Sequence, residues 1–376
     1  MRILHLCLSA FYIDNYGYQE NILPIINYES GHDVKIIAST ETYINNQYLG
    51  YVEAMSYETK EGIPVERLPY KKYLPHFMMK KIRSYSNLYK KIEEFNPEVI
   101  LSHGVPMRDL LVLHKYKQNN EGVRIYIDSH EDLNNSATNW ISKNILHRII
   151  YRSYIKRTMD SFEKILYITA ETRDFLEDIY NISNEKLEYY PLGGSIVDSK
   201  IIEQDTKEIR NLYNFKNDDI LVFHSGKISL DKKIHEYLDC FIEKENIKLI
   251  IAGKLEPEVE DILKPYLGKD NIYFAGWLGQ DELKKYLNAC DLYFQPGSQS
   301  ATLQQAICSN SAVAIYPHKS YKELLENVPY YISSPIDMNI LLSKIKRDDI
   351  NTKKIETFKI AQMKLDYRYL AERYTV

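Results

Sequence analysis

Lys227 and Lys232 stand on one short loop, Phe223-His224-Ser225-Gly226-Lys227-Ile228-Ser229-Leu230-Asp231-Lys232-Lys233, which directly follows an apolar run. Two ammonium groups so spaced are suited to gripping a diphosphate, and a glycine such as Gly226 at a strand end lets the backbone approach a ligand closely. A plain solvated basic loop accounts for the same residues. A second segment, Leu292 to Ile307, reads as a strand turning into a helix through Gly297, Ser298 and Ser300. Small residues there leave backbone amides at a helix N-terminus, where the dipole favours an anion. Ser300 acting only as a helix cap explains the pattern equally well. A third cluster, Tyr126-Ile127-Asp128-Ser129-His130-Glu131-Asp132, ends another apolar run, and Ser102-His103-Gly104 ends one more. In open α/β sheets, ligand groups gather at that carboxyl edge, so His130 and, more weakly, His103 are candidates for chemistry, each against the alternative of a hydrogen-bonded structural histidine.

These residues need strands to position them. Apolar, β-branched runs alternate with helical stretches along nearly the whole chain, the pattern of βα units around parallel sheets. The first series is Ile3 to Leu8, Val34 to Ala38, Val99 to Ser102, Arg124 to Asp128 and Ile165 to Thr169. After Tyr190-Pro191-Leu192-Gly193-Gly194 comes a second: Ile220 to His224, Ile247 to Ala252, Ile272 to Phe274, Leu292 to Gln295 and Ala312 to Ile315. Two series divided by turn chemistry predict two Rossmann-like domains with a hinge near residue 192 and a ligand cleft between them.

The chain has 376 residues, which fits two domains of roughly 150 to 200 residues each. With 44% hydrophobic and 27% charged residues, disorder and fibrous repeats are excluded as the main state. Lys and Arg number 48 against 52 Asp and Glu, a net charge of -4, which argues against a general nucleic-acid binder. Cys7, Cys240, Cys290 and Cys308 are scattered without a C-x-x-C pair, so a reducing cytosol is expected, with neither a disulfide framework nor a zinc site. No apolar run reaches the roughly 18 residues of a membrane span, and Met1 to Leu8 reads as a buried first strand rather than a leader.

Taken in order, these segments resemble a GT-B fold glycosyltransferase, and are most similar to the family 4 retaining enzymes of bacterial capsule, lipopolysaccharide and related glycan assembly. The family's Gly-Arg and Glu-Lys-Gly are matched by Gly226-Lys227 and Asp231-Lys232-Lys233, and its glycine before the donor-base region by Gly276, followed by Asp281-Glu282-Leu283. Asn288-Ala289-Cys290-Asp291 and the strand to Pro296 match in order and spacing. Tyr18 to Pro24 and Gly31-His32-Asp33-Val34 resemble the first helix and second strand, with Gly17 where the family often has a glycine facing the donor. Leu365 to Tyr374 looks like the terminal helix that returns to the N-domain. The resemblance implies an α/β GT-B fold of two Rossmann-like domains facing each other across a cleft. It divides the chain into an acceptor-side domain, 1–192 plus the C-terminal helix 358–376, and a nucleotide-sugar domain, 193–357.

It also implies roles. His130 matches the histidine that lines the reacting sugar, and His103, Glu131 and Asp132 are acceptor-side candidates. Gly17, Gly226, Lys227, Lys232, Gly276, Gly297, Ser298, Ser300, Gln304 and Gln305 are the donor-side set. The family's Glu-x7-Glu falls on Gly297 and Gln305 here. Gln305 can still hydrogen-bond ribose hydroxyls but lacks the carboxylate charge, and Gln299 or Gln304 can take over part of that recognition. No cofactor or metal is expected: Asp218-Asp219 and Asp348-Asp349 read as loops, and lysines with helix dipoles would stabilise the leaving diphosphate. The expected partners are a nucleotide-sugar donor and a glycan or lipid-linked acceptor, with no nucleic acid. From Lys71 to Lys91, seven basic residues (Lys71, Lys72, Lys80, Lys81, Arg83, Lys90, Lys91) interleave with apolar ones and no acid. This stretch fits either docking on the anionic inner face of the cell membrane or a helix packed into the N-domain. Two other functions stand beside the transferase. One is a catalytically silent GT-B protein that binds glycan or stabilises a partner; the other is a sugar-nucleotide epimerase, for which no acid and base set is evident.

Overall fold

The computed structural model describes residues 1–44, 48–133, 135–242, 244–269 and 271–375. The backbone forms two compact units, Met1–Pro191 with Tyr367–Val376, and Leu192–Asp366. The returning segment is shorter than the expected 358–376, of which Val376 lies outside the described residues. The helix Arg347–Ile360 belongs to the second unit, where Thr357 Oγ1 donates to the Ser311 carbonyl at 2.8 Å.

The first unit is built on β1 (Arg2–Cys7), β2 (Asp33–Ser39), β3 (Glu41–Ile44), β4 (Tyr48–Tyr51), β5 (Ser56–Glu58), β6 (Pro64–Leu68), β7 (Val99–His103), β8 (Arg124–Ser129), β9 (Lys164–Tyr167) and β10 (Leu187–Tyr189). Eight of these make one sheet in the order β10-β9-β8-β7-β1-β2-β6-β5, parallel except for β5, while β3 and β4 pair separately. Parallel strands are covered on both faces, so both sides of β1 must be apolar. Leu4 and Leu6 pack into one cluster, while Ile3 and Cys7 enter two others. The helix Tyr367–Glu372 seals this unit against the helix Gln19–Glu29: Tyr367, Leu370 and Tyr374 are buried beside Leu23, and the Tyr190 hydroxyl donates to the Leu370 carbonyl at 2.8 Å.

The second unit continues with β11 (Ile220–Ser225), β12 (Ile247–Ala252), β13 (Ile272–Gly276), β14 (Leu292–Gln295), β15 (Ala312–Ile315) and β16 (Tyr330–Tyr331), all parallel in the order β13-β12-β11-β14-β15-β16. A buried carboxylate ties its far end. Asp291 accepts from Arg210 (2.8 Å), Arg347 (3.1 Å), Lys354 (3.0 Å) and the Leu221 amide (2.9 Å), which explains why an acid is tolerated between a helix and a core strand. All ten runs expected from the sequence are strands. The short or polar ones escaped notice, among them β6, whose Glu66 and Arg67 are neutralised by Lys35 and Asp14 at 2.8 Å each.

In both sheets the chain order reverses beside the first strand: between β1 and β7 in the first unit and between β11 and β14 in the second. Each reversal splays the connecting loops apart at the carboxyl edge; His103 ends β7 at the first and the Gly226 and Gly297 loops follow β11 and β14 at the second, whereas His130 follows β8 and Gly276 ends β13, one or two strands away.

Candidate active site

In the first unit, sheet register does the positioning. β7 and β8 pair so that His103 lies opposite Asp128, and the two side chains meet with His103 Nδ1 2.5 Å from Asp128 Oδ2. The other Asp128 oxygen accepts the Gly104 amide at 3.0 Å and lies 3.4 Å from His130 Nε2. Behind His103, His5 Nδ1 is 3.2 Å from His103 Nε2, and His5 Nε2 is 3.0 Å from Asn27 Oδ1. Asn27 Oδ1 also accepts from the Tyr374 hydroxyl at 2.7 Å, and its amide nitrogen donates to the Ala371 carbonyl. With Asn27 Oδ1 as acceptor, His5 Nε2 donates, and the neutral His5 ring then presents Nδ1 as an acceptor to His103. A row of contacts therefore runs from Tyr374 and Asn27 through His5 and His103 to Asp128, with His130 Nε2 close to the far carboxylate oxygen.

Charge follows from this geometry. Burial alone would raise the Asp128 carboxyl, but His103 and His130 outweigh it and hold the carboxyl well below the usual range. Burial opposes charge on His130 too, yet Asp128, with Glu20 and Glu131, raises its pKa to about 10. His5 is driven down to about 3 by burial and by His103. His130 is thus a cation at neutral pH, 28% exposed, while His5, which lies behind His103, is neutral.

His130, Glu131 and Gly104 face a cavity of about 590 Å3 within this unit, which Ser9, Glu20, Lys80, Lys81, Arg83 and Tyr151 also line. Burial pushes Glu131 up, and it accepts from Ser129 Oγ at 2.5 Å. Asp132 is not among the lining residues; it closes a turn by accepting the Asn135 amide at 2.9 Å. His103 is fully buried with both ring nitrogens engaged, so it reaches the cavity only through Asp128. Gly17 is exposed just ahead of the helix Gln19–Glu29.

The basic stretch 71–91 is not one amphipathic helix. It is broken into His76–Ile82 and Leu88–Phe95 by Arg83 and Asn87 in left-handed conformations. Lys80 pairs with Glu41 at 2.7 Å and Lys91 with Glu66 at 2.8 Å, and Met79 and Leu88 are buried, while Tyr73, Phe77 and Met78 are exposed.

In the second unit the two loops at the reversal are laced together. Gly226, at φ 134°, needs a conformation that L side chains rarely adopt, and it leads into the basic loop. Lys232 Nζ donates to the Ser298 and Gln299 carbonyls at 3.3 and 3.0 Å, and burial lowers its pKa. Asp231 bonds Ser298 through its carboxylate, and its carbonyl accepts the Ser298 amide at 3.0 Å. Gly297 is there because nothing larger fits: a Cβ would lie 2.2 Å from the Asp231 carbonyl oxygen. Gln305 clamps the Ser195 backbone, accepting its amide and donating to its carbonyl, each at 3.0 Å. Ser300 Oγ bonds Thr302 Oγ1 at 2.7 Å, at the head of the helix Thr302–Cys308. Gly276 has open space beside it, a Cβ on Gly226 would meet the Ser300 hydroxyl at 4.0 Å, and Gln304 Oε1 is buried without a partner among the described residues. Lys227 is exposed, near Glu256 at 3.4 Å.

The sequence reading missed Asp128, His5, Glu20 and Arg83 as individual site residues. The available signal was a charged or titratable group inside an apolar strand for the first two, and membership of a basic stretch for Arg83. Among the described residues no group of three or more His, Cys, Asp or Glu side chains is placed to hold a metal ion, and no helix is long and apolar enough to cross a membrane.

Comparison with solved structures establishes the fold as GT-B. A glycosyltransferase from Rickettsia africae superposes with a TM-score of 0.68 at 10% identity, covering 99% of this chain and 96% of that one. Sucrose-phosphate synthase from Thermosynechococcus elongatus gives 0.63 at 12% identity, with 99% and 97% covered. Anabaena HepE in complex with UDP and glucose gives 0.61 at 14% identity, with 100% and 98% covered. Residues 205–329 match the family described as Glycosyl transferases group 1. That span contains both laced loops of the second unit. A search of the curated proteins finds no match.

Proposed function

We propose that this chain is a glycosyltransferase that moves a sugar from a nucleotide-diphosphate donor, bound on the second unit, to a glycan or lipid-linked glycan held on the first. The observation that carries the reading is the group 1 match over 205–329, since that segment supplies Gly226, Lys227, Lys232, Gly276, Gly297, Ser298, Ser300 and Gln304. The UDP named with Anabaena HepE supports a uridine nucleotide as the first donor to try. Lys227, exposed and paired only at the surface with Glu256, is the cation for the diphosphate, while Lys232, holding two carbonyls, shapes the loop and keeps one N–H to offer. His130, charged and facing the first unit's cavity, positions hydroxyls and steadies negative charge as the bond to the leaving group lengthens.

The finer features rest on the resemblance to family 4 enzymes: retention at the anomeric carbon, catalysis without a bound metal, a role in cell-surface polysaccharide or glycoconjugate synthesis, and a cytoplasmic site of action. Peripheral attachment to the inner face of the membrane is supported by exposed Phe77 and Met78 beside the basic residues and by exposed Trp140, Ile141 and Ile149. A thermal-shift screen of nucleotide sugars tests the donor assignment, because a ligand at 100 times its dissociation constant stabilises by about 2.7 kcal/mol. No shift with any nucleotide sugar overturns it.

The silent GT-B reading has its own support in Gln305 and Gly297. Both are engaged within the fold, at the positions where the resemblance expects carboxylates for the donor. Donor binding without transfer or hydrolysis would select it.

A further inference from the structure

Arg83 makes no ion pair among the described residues, and the acid whose charge reaches it is Glu131, on the same cavity lining. Arg83 is partly buried at the wall of the first unit's cavity, and its hydrogen bonds use Nη1 alone, to Ser9 Oγ at 2.8 Å and the Pro106 carbonyl at 3.0 Å. Both partners are neutral, and among the described residues no carboxylate lies within ion-pair distance. Lys81, on the same wall, is exposed and likewise has no carboxylate partner, whereas neighbouring Lys80 is neutralised by Glu41.

The backbone shows that this arginine is placed rather than accidental. Arg83 has φ 53°, a left-handed conformation that glycine or asparagine adopts more cheaply at a helix end. The chain on either side is pinned there: before it the Ile82 carbonyl accepts the Arg108 amide at 2.9 Å, and after it Asp109 accepts from Ser84 Oγ and the Tyr85 amide, each at 2.7 Å, while the Tyr85 hydroxyl donates to the Leu8 carbonyl at 2.5 Å. Non-glycine residues held in such conformations cluster at ligand clamps. Nε and Nη2 remain as donors, the fork that matches two oxygens of a phosphate or carboxylate. The cavity, at about 590 Å3, is within the range of small-molecule sites, about 300 to 1,000 Å3.

We propose that this cavity binds a phosphoryl group carried by the acceptor, with Arg83 as its principal ligand and Lys81 as a second cation. The proposal deepens the transferase reading and rests on it for the word acceptor. Anion binding by the cavity does not depend on it. Glu20, on the same lining, makes no hydrogen bond or ion pair among the described residues and acts on His130 only through its charge; it then faces the uncharged part of the ligand, where a carboxylate accepts hydroxyl hydrogen bonds.

The test titrates inorganic pyrophosphate into the full chain by calorimetry, alone and with saturating UDP, for wild type, Arg83→Gln, Arg83→Lys and Lys227→Ala. The expected result is a pyrophosphate site that survives UDP and Lys227→Ala, is weakened about tenfold by Arg83→Gln, and is partly kept by Arg83→Lys. Equal affinity in wild type and Arg83→Gln, or displacement of pyrophosphate by UDP, overturns the proposal. If Arg83→Gln does not fold, Arg83→Lys carries the comparison, because it keeps the charge and loses the fork. UDP binding is read separately: its absence from every variant counts against the proposed transferase and leaves the pyrophosphate result intact. Sedimentation with phosphatidylglycerol vesicles gives the source. Vesicle binding lost with Arg83→Gln assigns a lipid phosphate, and vesicle binding unchanged while pyrophosphate is lost assigns a free phosphorylated ligand; both support the phosphoryl site.

Discussion

His130 Nε2 lies 3.4 Å from Asp128 Oδ1, while the opposite oxygen of the same carboxylate is held by His103. The pair makes His130 a cation that faces the cavity yet is anchored from behind. Replacing His130 with Ala is expected to lower transfer by about 100-fold while changing donor affinity little, as for a group that positions atoms in the transition state. Rate and donor-binding measurements on the purified variant decide this, and equal losses in both would mark His130 as structural.

The same chain of residues sets a pH profile for stability. His130 has a folded pKa of about 10 against an ordinary 6.5, so its contribution is complete below about pH 6.5 and is lost as pH rises toward 10. Asp128, held low, contributes above the ordinary carboxylate range and loses that contribution as pH falls. His5 acts in the opposite sense to His130. With a folded pKa of about 3, it leaves the unfolded chain binding the extra proton between pH 6.5 and 3, so stability falls on acidification. Unfolding midpoints across pH should show the deficit of His130→Gln shrinking between 6.5 and 10, and the acid loss flattened in His5→Gln.

Lys227 and Lys232 are expected to part company. Lys227→Ala should weaken nucleoside diphosphate binding with a stability change below about 0.5 kcal/mol, since its contact with Glu256 is exposed. Lys232→Ala should weaken binding and also lower stability by about 1 kcal/mol, because the Ser298 and Gln299 carbonyls lose their donor. UDP titration and denaturant unfolding of both variants separate the two roles; identical stability losses would contradict them.

Gly297 offers a steric test. Gly297→Ala places a methyl 2.2 Å from the Asp231 carbonyl oxygen and 2.4 Å from the Lys232 carbonyl carbon, so the laced loops must part, at a cost of about 1 to 3 kcal/mol. Nucleotide affinity should fall along with the unfolding midpoint. A neutral Gly297→Ala would mean that the loops yield freely.

Peripheral membrane docking predicts that Phe77→Ser with Trp140→Ser reduces sedimentation with anionic vesicles, since each side chain is at least 70% exposed and removes apolar area available for insertion. Unchanged sedimentation would leave Lys71 to Lys91 as a solvated basic surface.

The sequence by itself determined where the ten apolar parallel strands lie and which loops follow them, but not the short or polar β6, β10 and β16. A strand covered on both faces has to be a continuous apolar run, and Ile3 to Leu8, Ile220 to His224 and Leu292 to Gln295 could be little else. Gly226, Ser298 and His130 were legible for the same reason, each sitting where such a run ends. Only tertiary structure decided what those residues touch. The β7–β8 register sets His103 against Asp128, 25 residues away, and His5 joins them from 98 residues away. Lys232 reaches across 66 residues to the carbonyl that occupies it, and Arg83 becomes a cavity wall because Asp109 and Leu8 hold its neighbours. Hydrogen-bond partners at such separations are chosen by sheet order and register, which no local spacing encodes.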